Sequence, residues 1–283
     1  MKNTALVLEG GGMRGIFTAG VLDLFIDKGI TFDNVTGVSA GAGHAVSYLS
    51  GQRKRAFDVC ADYVNDKRYC SLSSLMKTGN LFGADFIYRE IPEALNVYDY
   101  DAYLAQNAVF RAVITDCETG RAEYAVLRDM KTDMDYVRAS ASLPFVSKIV
   151  EIGGGKFLDG GISDPIPFEH MLELGCDKIV VVLTRPYGYR KKASPQTSAL
   201  ASAEYRKYPA LVDALKYRHL VYNDSLDMLE EMEQEGKIFV IRPPVDLGIG
   251  RTEKNYDRLL RSYKIGYAEA KKSCDALLEF LED

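Results

Sequence analysis

Gly37-Val38-Ser39-Ala40-Gly41 constrains this chain more than any other stretch. It is a G-x-S-x-G pentapeptide that follows the short strand-like run Val35 to Val38 and leads into the helix-like segment Ala42 to Leu49. A serine at a sharp strand-to-helix turn is forced out of the regular ladder, so its hydroxyl projects above the sheet edge. Glycines flank such a turn because side chains there would collide with neighbouring backbone. The N–H groups of the new helix start converge near the hydroxyl and favour negative charge. In a chain with 24 glycines the pentapeptide alone reads either as a nucleophile elbow or as an ordinary Gly-Ser turn.

A second glycine cluster lies upstream. Thr4 to Leu8 reads as a buried strand running into Gly10-Gly11-Gly12-Met13-Arg14-Gly15. Ile16 to Lys28 then places Phe17, Val21, Leu24 and Phe25 at helical spacing, with Gly29 as the stop. This β-loop-α-β-turn-α order opens an α/β domain with a parallel sheet. Further on, Arg53 to Lys67 reads as helix and Ser71 to Gly83 as loop. Ala84 to Leu95 and Asp99 to Ala105 read as helices of a packed, aromatic-rich layer. Val109 to Thr115 and Ala122 to Leu127 form a hairpin, and Asp133 to Ser142 a helix stopped before Pro144. Lys148 to Ile152 is a short strand. Lys178 to Leu183 is the most strand-like run of the chain and reads as a central strand. Residues 185–209 interleave Arg190, Lys191 and Lys192 with tyrosines and read as a mobile, solvated connector. Ala210 to Glu235 is helical, Lys237 to Ile241 a strand, and Glu253 to Leu281 one long helix with a core-facing stripe.

Bulk properties narrow the classes of function. A net charge of −5 and a pI near 5.4 leave no basic field for nucleic acid. Five cysteines without C-x-x-C spacing read as reduced thiols in a cytoplasmic protein, with neither a disulfide framework nor a zinc cluster. The longest apolar run, Ile179 to Leu183, is far short of a membrane span, and the N-terminus is too little apolar for a signal peptide. Transient contact at a membrane surface, through the basic segment 185–209, is the membrane option left.

Gly10 to Gly15 also satisfies G-x-G-x-x-G after a strand and before a helix, the pattern of a dinucleotide-binding loop. That use needs an acidic residue at the C-terminal end of the second strand, where this chain has Ser39 and glycines. A glycine triplet at a strand end also bares successive N–H groups that wrap a small anion. In acyl transfer that anion is the tetrahedral oxyanion, and each donor is worth roughly 2.7–4 kcal/mol of barrier. Gly10, Gly11, Gly12 and the Ala40 N–H would then meet beside Ser39. Arg14, a cation in the first turn of a helix, opposes the dipole and is expected to brace the loop or meet an anion. Gly41 and Gly43 are expected where the glycine loop packs tightly on the second helix. A serine nucleophile needs a base. His44, His170 and His219 read as surface or satisfied core histidines, and Asp159, ahead of Gly160 and Gly161, as either a turn residue or that base.

The four blocks Gly10-Gly11-Gly12-Met13-Arg14-Gly15, Gly37-Val38-Ser39-Ala40-Gly41, Ala139-Ser140-x-x-x-Pro144 and Asp159-Gly160-Gly161 occur in order over about residues 4–184. Together they resemble the patatin-like phospholipases of bacteria. The resemblance implies an α/β protein with a three-layer α/β/α fold, a mainly parallel sheet and a mostly helical C-terminal extension. It implies a catalytic domain over 1–184 with 185–283 as that extension. It also implies a metal-independent, cofactor-free serine acyl hydrolase of lipid esters, with Ser39 as nucleophile and Asp159 as proton acceptor. Gly10, Gly11, Gly12, Arg14, Gly15 and Ala40 would then form the oxyanion loop. Gly37, Gly41, Gly160 and Gly161 would support the two turns, and Ala139-Ser140 and Pro144 would shape the wall beside them. The alternative is a non-catalytic lipid- or nucleotide-binding module on the same scaffold.

Overall fold

A computed structural model describes residues 3–282. The first strand, β1 (Thr4–Leu8), is buried along nearly its whole length, as a continuous apolar run without polar alternation requires. The glycine loop follows, and α1 (Ile16–Lys28) runs back, stopped by Gly29 in the left-handed region at φ 65°. β2 (Asn34–Val38) and α2 (Ala40–Leu49) complete the opening unit.

The middle of the chain departs from the sequence expectation at several points. The helix expected over 53–67 is only α3 (Arg55–Ala61). Beyond it Asp66 turns its carboxylate onto the Arg68 N–H at 2.7 Å, the local bond by which short acidic side chains compete with helix. The loop expected over 71–83 contains α4 (Leu72–Thr78), capped by Ser71 and ended by Gly79. Phe86–Leu95 is wound as a π-helix around Pro92, and α5 (Tyr100–Ala105) follows.

Four strands in two hairpins come next. The hairpin β3 (Val109–Asp116) and β4 (Ala122–Leu127) leads through α6 (Met130–Ser140) to a second hairpin, β5 (Val150–Ile152) and β6 (Gly155–Asp159). The chain then forms α7 (Phe168–Glu173) and β7 (Lys178–Val182). Residues 185–209 are not a bare connector, since Ser194 and Pro195 start the helix α8 (Pro195–Glu204). α9 (Pro209–Gln234) and β8 (Ile238–Ile241) follow. The helix expected over 253–281 is two, α10 (Tyr256–Lys272) and α11 (Cys274–Glu282). At the break the Ser273 hydroxyl bonds back to the Glu269 carbonyl at 2.9 Å.

The strand order β3-β2-β1-β7-β8 is parallel throughout, and β4 and the β5–β6 hairpin pair antiparallel with β3. Alternate residues of β1 and β7 feed opposite layers. Leu6, Leu8, Val180 and Val182 pack with α1, α2, α10 and α11. Ala5, Val7, Ile179 and Val181 pack with α7 and α9. The result is the three-layer α/β/α sandwich. The last hundred residues are woven into it: β8 extends the sheet, and α10 lies so close on α1 that a side chain at Gly266 would meet the Phe17 carbonyl.

Candidate active site

Ser39 is the last residue before α2 and has φ 55°, ψ −121°, a conformation that L-residues avoid and that costs about 1–3 kcal/mol. Two bonds hold it there. The Ser39 N–H donates to Ser140 Oγ at 2.9 Å, and the Ser39 carbonyl accepts from the Gly43 N–H at 3.1 Å. A Cβ on Gly41 would stand 2.4 Å from the Leu8 carbonyl oxygen, so the turn packs directly on the end of β1. Gly37 is equally closed, facing Ala42 across the turn. Gly43 has nothing within 4 Å of where its Cβ would lie, which corrects the expectation of tight packing there.

Sheet register brings the second residue in. β2 ends at Val38, paired with Val113, while β3 continues to Asp116. β4 occupies one edge of β3 up to Thr115, so β6 takes the edge that β2 has vacated and pairs Asp159 with Ile114. Ser39 and Asp159 thus arrive from opposite directions beside the same residue of β3. The backbone of Asp159 is pinned by two bonds, N–H to the Ser142 carbonyl at 2.9 Å and carbonyl from Thr115 Oγ1 at 2.8 Å. Close packing of Gly160 on the Val113 carbonyl fixes the turn that follows.

The Asp159 carboxylate is 3% exposed. Its Oδ1 accepts the Gly161 N–H at 2.8 Å, and its Oδ2 is buried without a partner of ordinary hydrogen-bond geometry. Burial pushes its pKa up. The Ser39 hydroxyl is the strongest influence in the other direction, ahead of Arg218, the Gly161 N–H and Arg251. Burial outweighs these opposing influences, and a desolvated aspartate is a stronger base than an exposed one.

The glycine loop borders this pair. Gly10 abuts Ser39, since a Cβ on Gly10 would lie 2.9 Å from that of Ser39, and Gly15 abuts Ala40 and His44. Gly12 is at φ 56°, which turns the loop beneath the Arg251 carbonyl. The Met13 and Arg14 N–H groups are engaged by Arg251 and Gly11. Among the described residues no acceptor takes the N–H groups of Gly10, Gly11, Gly12 or Ala40. Among the described residues no hydrogen bond ties the Arg14 side chain to the loop, and its Nε is buried without a partner.

Ser39 stands between two cavities. A polar one of about 260 Å³ is lined by Glu9, the glycine loop, Asp159 and five cationic side chains. An apolar one of about 140 Å³ runs beneath α2, walled by Val59, Tyr69, Phe82, Tyr88, Pro92 and Met134 among others. Gly12, Ser39 and Leu143 border both. The 84–95 segment packs into the core through Phe86 and Ile91, as expected, and also walls the apolar cavity through Ile87, Tyr88 and Pro92. Likewise, Arg185, Tyr189 and Lys191 of the expected connector line the polar cavity.

His44 is not the satisfied core histidine expected of it. It is buried, its Nε2 has no partner, and burial pushes its pKa down to about 4, so it is neutral at pH 7. His170 stacks on Tyr124 at 3.6 Å, and His219 bonds the Lys216 carbonyl. Among the described residues no group of three or more His, Cys, Asp or Glu side chains is arranged to hold a metal ion. No described helix is long and apolar enough to cross a membrane.

A three-layer sandwich on a mixed, largely parallel sheet, with a serine on a strained elbow and a buried aspartate at its side, defines a serine-elbow α/β protein. The profile described as patatin-like phospholipase matches residues 6–172, and this chain belongs to that family. A second profile, described as a domain of unknown function, matches residues 208–282. The chain is 29% identical over 268 residues to the uncharacterized protein YjjU of Escherichia coli (strain K12), covering 93% of this chain and 74% of that one. It is 27% identical to the lysophospholipase nte1 of Emericella nidulans over 293 residues, 96% of this chain but 18% of that protein. Among solved structures it is similar to VipD from Legionella pneumophila, with a TM-score of 0.47 at 14% identity, over 98% of this chain and 67% of that one.

Proposed function

We propose that this chain is a serine acyl hydrolase that cleaves acyl esters of lipids, with Ser39 as nucleophile and Asp159 as its base. The observation that carries the reading is the convergence of β2 and β6 on one edge of β3, which puts the hydroxyl beside a buried carboxylate. Asp159 accepts the Ser39 proton as Oγ attacks the ester carbonyl. The oxyanion is met by the free N–H groups of Gly10, Gly11, Gly12 and Ala40. The tetrahedral intermediate collapses, and the departing alcohol takes the proton from Asp159. Water, deprotonated by Asp159, then attacks the acyl-enzyme; the second tetrahedral intermediate expels Ser39 Oγ, which takes the proton back from Asp159, and the fatty acid leaves.

An ordinary aspartate is a weaker base than imidazole by about 2.6 pKa units, or roughly 3.5 kcal/mol. Desolvation at Asp159 recovers part of that difference. Neutral His44, whose Nε2 faces Gly15, has too depressed a pKa to take the role. The apolar cavity suits the acyl chain and the polar one the alcohol portion. No step calls for a metal ion, so hydrolysis is expected to survive EDTA. In this reading residues 1–184 carry the chemistry, and 185–283 complete the polar cavity.

Family membership and the likeness to a lysophospholipase support a lipid ester as substrate. Ser39→Ala and Asp159→Asn are each expected to abolish hydrolysis of a short acyl ester while melting cooperatively. A fluorophosphonate probe is expected to label Ser39 in the parent protein. Full activity in either folded variant would remove the dyad, and an unlabelled serine would favour a binding module without catalysis.

A further inference from the structure

Arg14, Arg185, Lys191, Arg218 and Arg251 line the polar cavity together with only two carboxylates, Glu9 and Asp159. Both oxygens of Glu9 and Oδ1 of Asp159 already accept hydrogen bonds. Glu9 accepts from the Thr184 N–H at 2.6 Å, from Thr184 Oγ1 at 3.0 Å and from the Tyr222 hydroxyl at 2.7 Å. Asp159 is held by Gly161 and lies beside Ser39. Of the cations, Arg185 pairs outward with Asp246 at 2.8 Å. Arg14, Lys191, Arg218 and Arg251 have no carboxylate at ion-pair distance among the described residues.

Buried charge is ordinarily paired, yet buried Arg14 and half-buried Lys191 and Arg218 have no carboxylate partner, while Arg251 stands exposed at the edge of the cluster. Arg14 is 9% exposed, and the Nε atoms of Arg14, Arg185 and Arg218 are buried without an acceptor. Arg218 spends one Nη2 bond, at 3.0 Å, on the Gly161 carbonyl. Lys191 Nζ sits 4.1 Å from the centre of the Tyr222 ring. Burial and the neighbouring Arg218 push Lys191 down to about 7, and burial with Arg185 lowers Arg14. The glycine loop, the segment after β7, α9 and the turn before α10 each contribute to this cluster. Such convergence of unpaired guanidinium groups on one small space suits a multiply charged oxyanion, whose oxygens accept the paired N–H groups of arginine.

We propose that the polar cavity is a phosphomonoester subsite, so that the preferred substrates are acyl esters whose alcohol portion ends in a free phosphate. The proposal rests on the acyl-hydrolase reading for its substrate, and on the unpaired cations for its charge. With the scissile carbonyl at Ser39 and the acyl chain in the apolar cavity, the alcohol portion extends toward Arg14, Lys191, Arg218 and Arg251. A quaternary ammonium head would enter the same cluster and meet its unpaired cations.

The test compares a monoacyl glycerol phosphate, the phosphocholine ester of the same acyl glycerol and a neutral short-chain acyl ester. The phosphomonoester is expected to exceed the phosphocholine ester at least about tenfold in kcat/KM, the discrimination of one good charge-assisted contact. Lys191→Met and Arg251→Gln, each checked by melting, are expected to erase most of that ratio. Lys192→Met removes an exposed charge outside the cavity and is expected to preserve it.

Hydrolysis of all three substrates without preference would overturn the subsite and leave the hydrolase reading standing. Loss of the preference in Lys192→Met to the same degree would also overturn it, as an effect of surface charge. Absence of any ester hydrolysis, with saturable calorimetric binding of the monoacyl glycerol phosphate that is lost in Arg251→Gln, would sink the hydrolase reading and keep the phosphate site. Inorganic phosphate binding as tightly as the lipid would overturn the lipid headgroup as its occupant.

Discussion

The hydroxyl of Ser140 lies outside both proposed catalytic groups, yet its removal is expected to be costly. Ser140 is fully buried, and its Oγ is the acceptor for the N–H of Ser39, whose backbone is held at φ 55°. Ser140→Ala leaves that buried N–H unpaired, which costs about 1–3 kcal/mol. At roughly 2 °C per kcal/mol for a chain of this size, the melting temperature should fall by about 2–6 °C. Activity should suffer more than stability. A strained turn that loses one of its two restraints drifts toward ordinary dihedrals, and misplacement of a nucleophile by about 1 Å is worth on the order of 100-fold. The assay is kcat on a soluble short-chain ester beside a thermal melt, with amide exchange at Ser39 as the local readout. A loss of kcat of about 10- to 100-fold with little change in KM, and faster exchange at Ser39, is the expected pattern. Parental kcat and an unchanged melting temperature would show that the elbow needs no help from α6, and the reasoning would fail.

Asp159→Asn should separate activity from stability. General-base catalysis is worth about 10²–10⁴-fold, so hydrolysis collapses. Burial raises the Asp159 pKa above its ordinary 3.8, so the protein is most stable with the group protonated, below the unfolded value, and loses stability as pH rises through the folded one. The Asn variant should therefore melt above the parent at pH 7, with the gap closing as pH falls below about 4; melts across pH 3–8 check this, and a lower-melting variant at pH 7 would refute it. His44→Ala should retain measurable ester hydrolysis. A loss as deep as that of Ser39→Ala would transfer the base to the imidazole.

The opening of the fold was readable because its signals are local. The apolar run of β1, the helical spacing of α1 and the glycines of the elbow each act within a few residues of their own position. The helix expected over 53–67 failed where Asp66 captured a backbone N–H, and the one over 253–281 failed at a serine bonding its own turn; both are side-chain choices that periodicity does not register. Ser140 was legible as part of the motif Ala139-Ser140-x-x-x-Pro144 but read only as wall. Its role is one of pinning: Ser140 Oγ holds Ser39, and the Ser142 carbonyl two residues on holds Asp159. The polar cavity was the least legible part. Arg14 sits 171 residues before Arg185 and 237 before Arg251, by subtraction of their positions, so no window along the chain contains the cluster. The basic, tyrosine-rich composition of 185–209 was a usable signal, but it pointed to a surface rather than to an interior.

The two proposals meet at Asp159. Its charge is opposed by burial and favoured first by the Ser39 hydroxyl, then by Arg218, the Gly161 N–H and Arg251. Arg218 and Arg251 also line the cavity assigned to phosphate. An anion seated between them offsets their field, so Asp159 should become more basic when a phosphomonoester is bound than in the free protein. The pH dependence of kcat/KM follows the free enzyme and that of kcat follows the substrate complex. For the phosphomonoester the acid limb of kcat should therefore lie at higher pH than the acid limb of kcat/KM. For a neutral ester, which leaves the cations unscreened, the two limbs should coincide. Coincident limbs for both substrates would mean that the cavity and the carboxylate do not share a field, and that the headgroup acts through affinity alone.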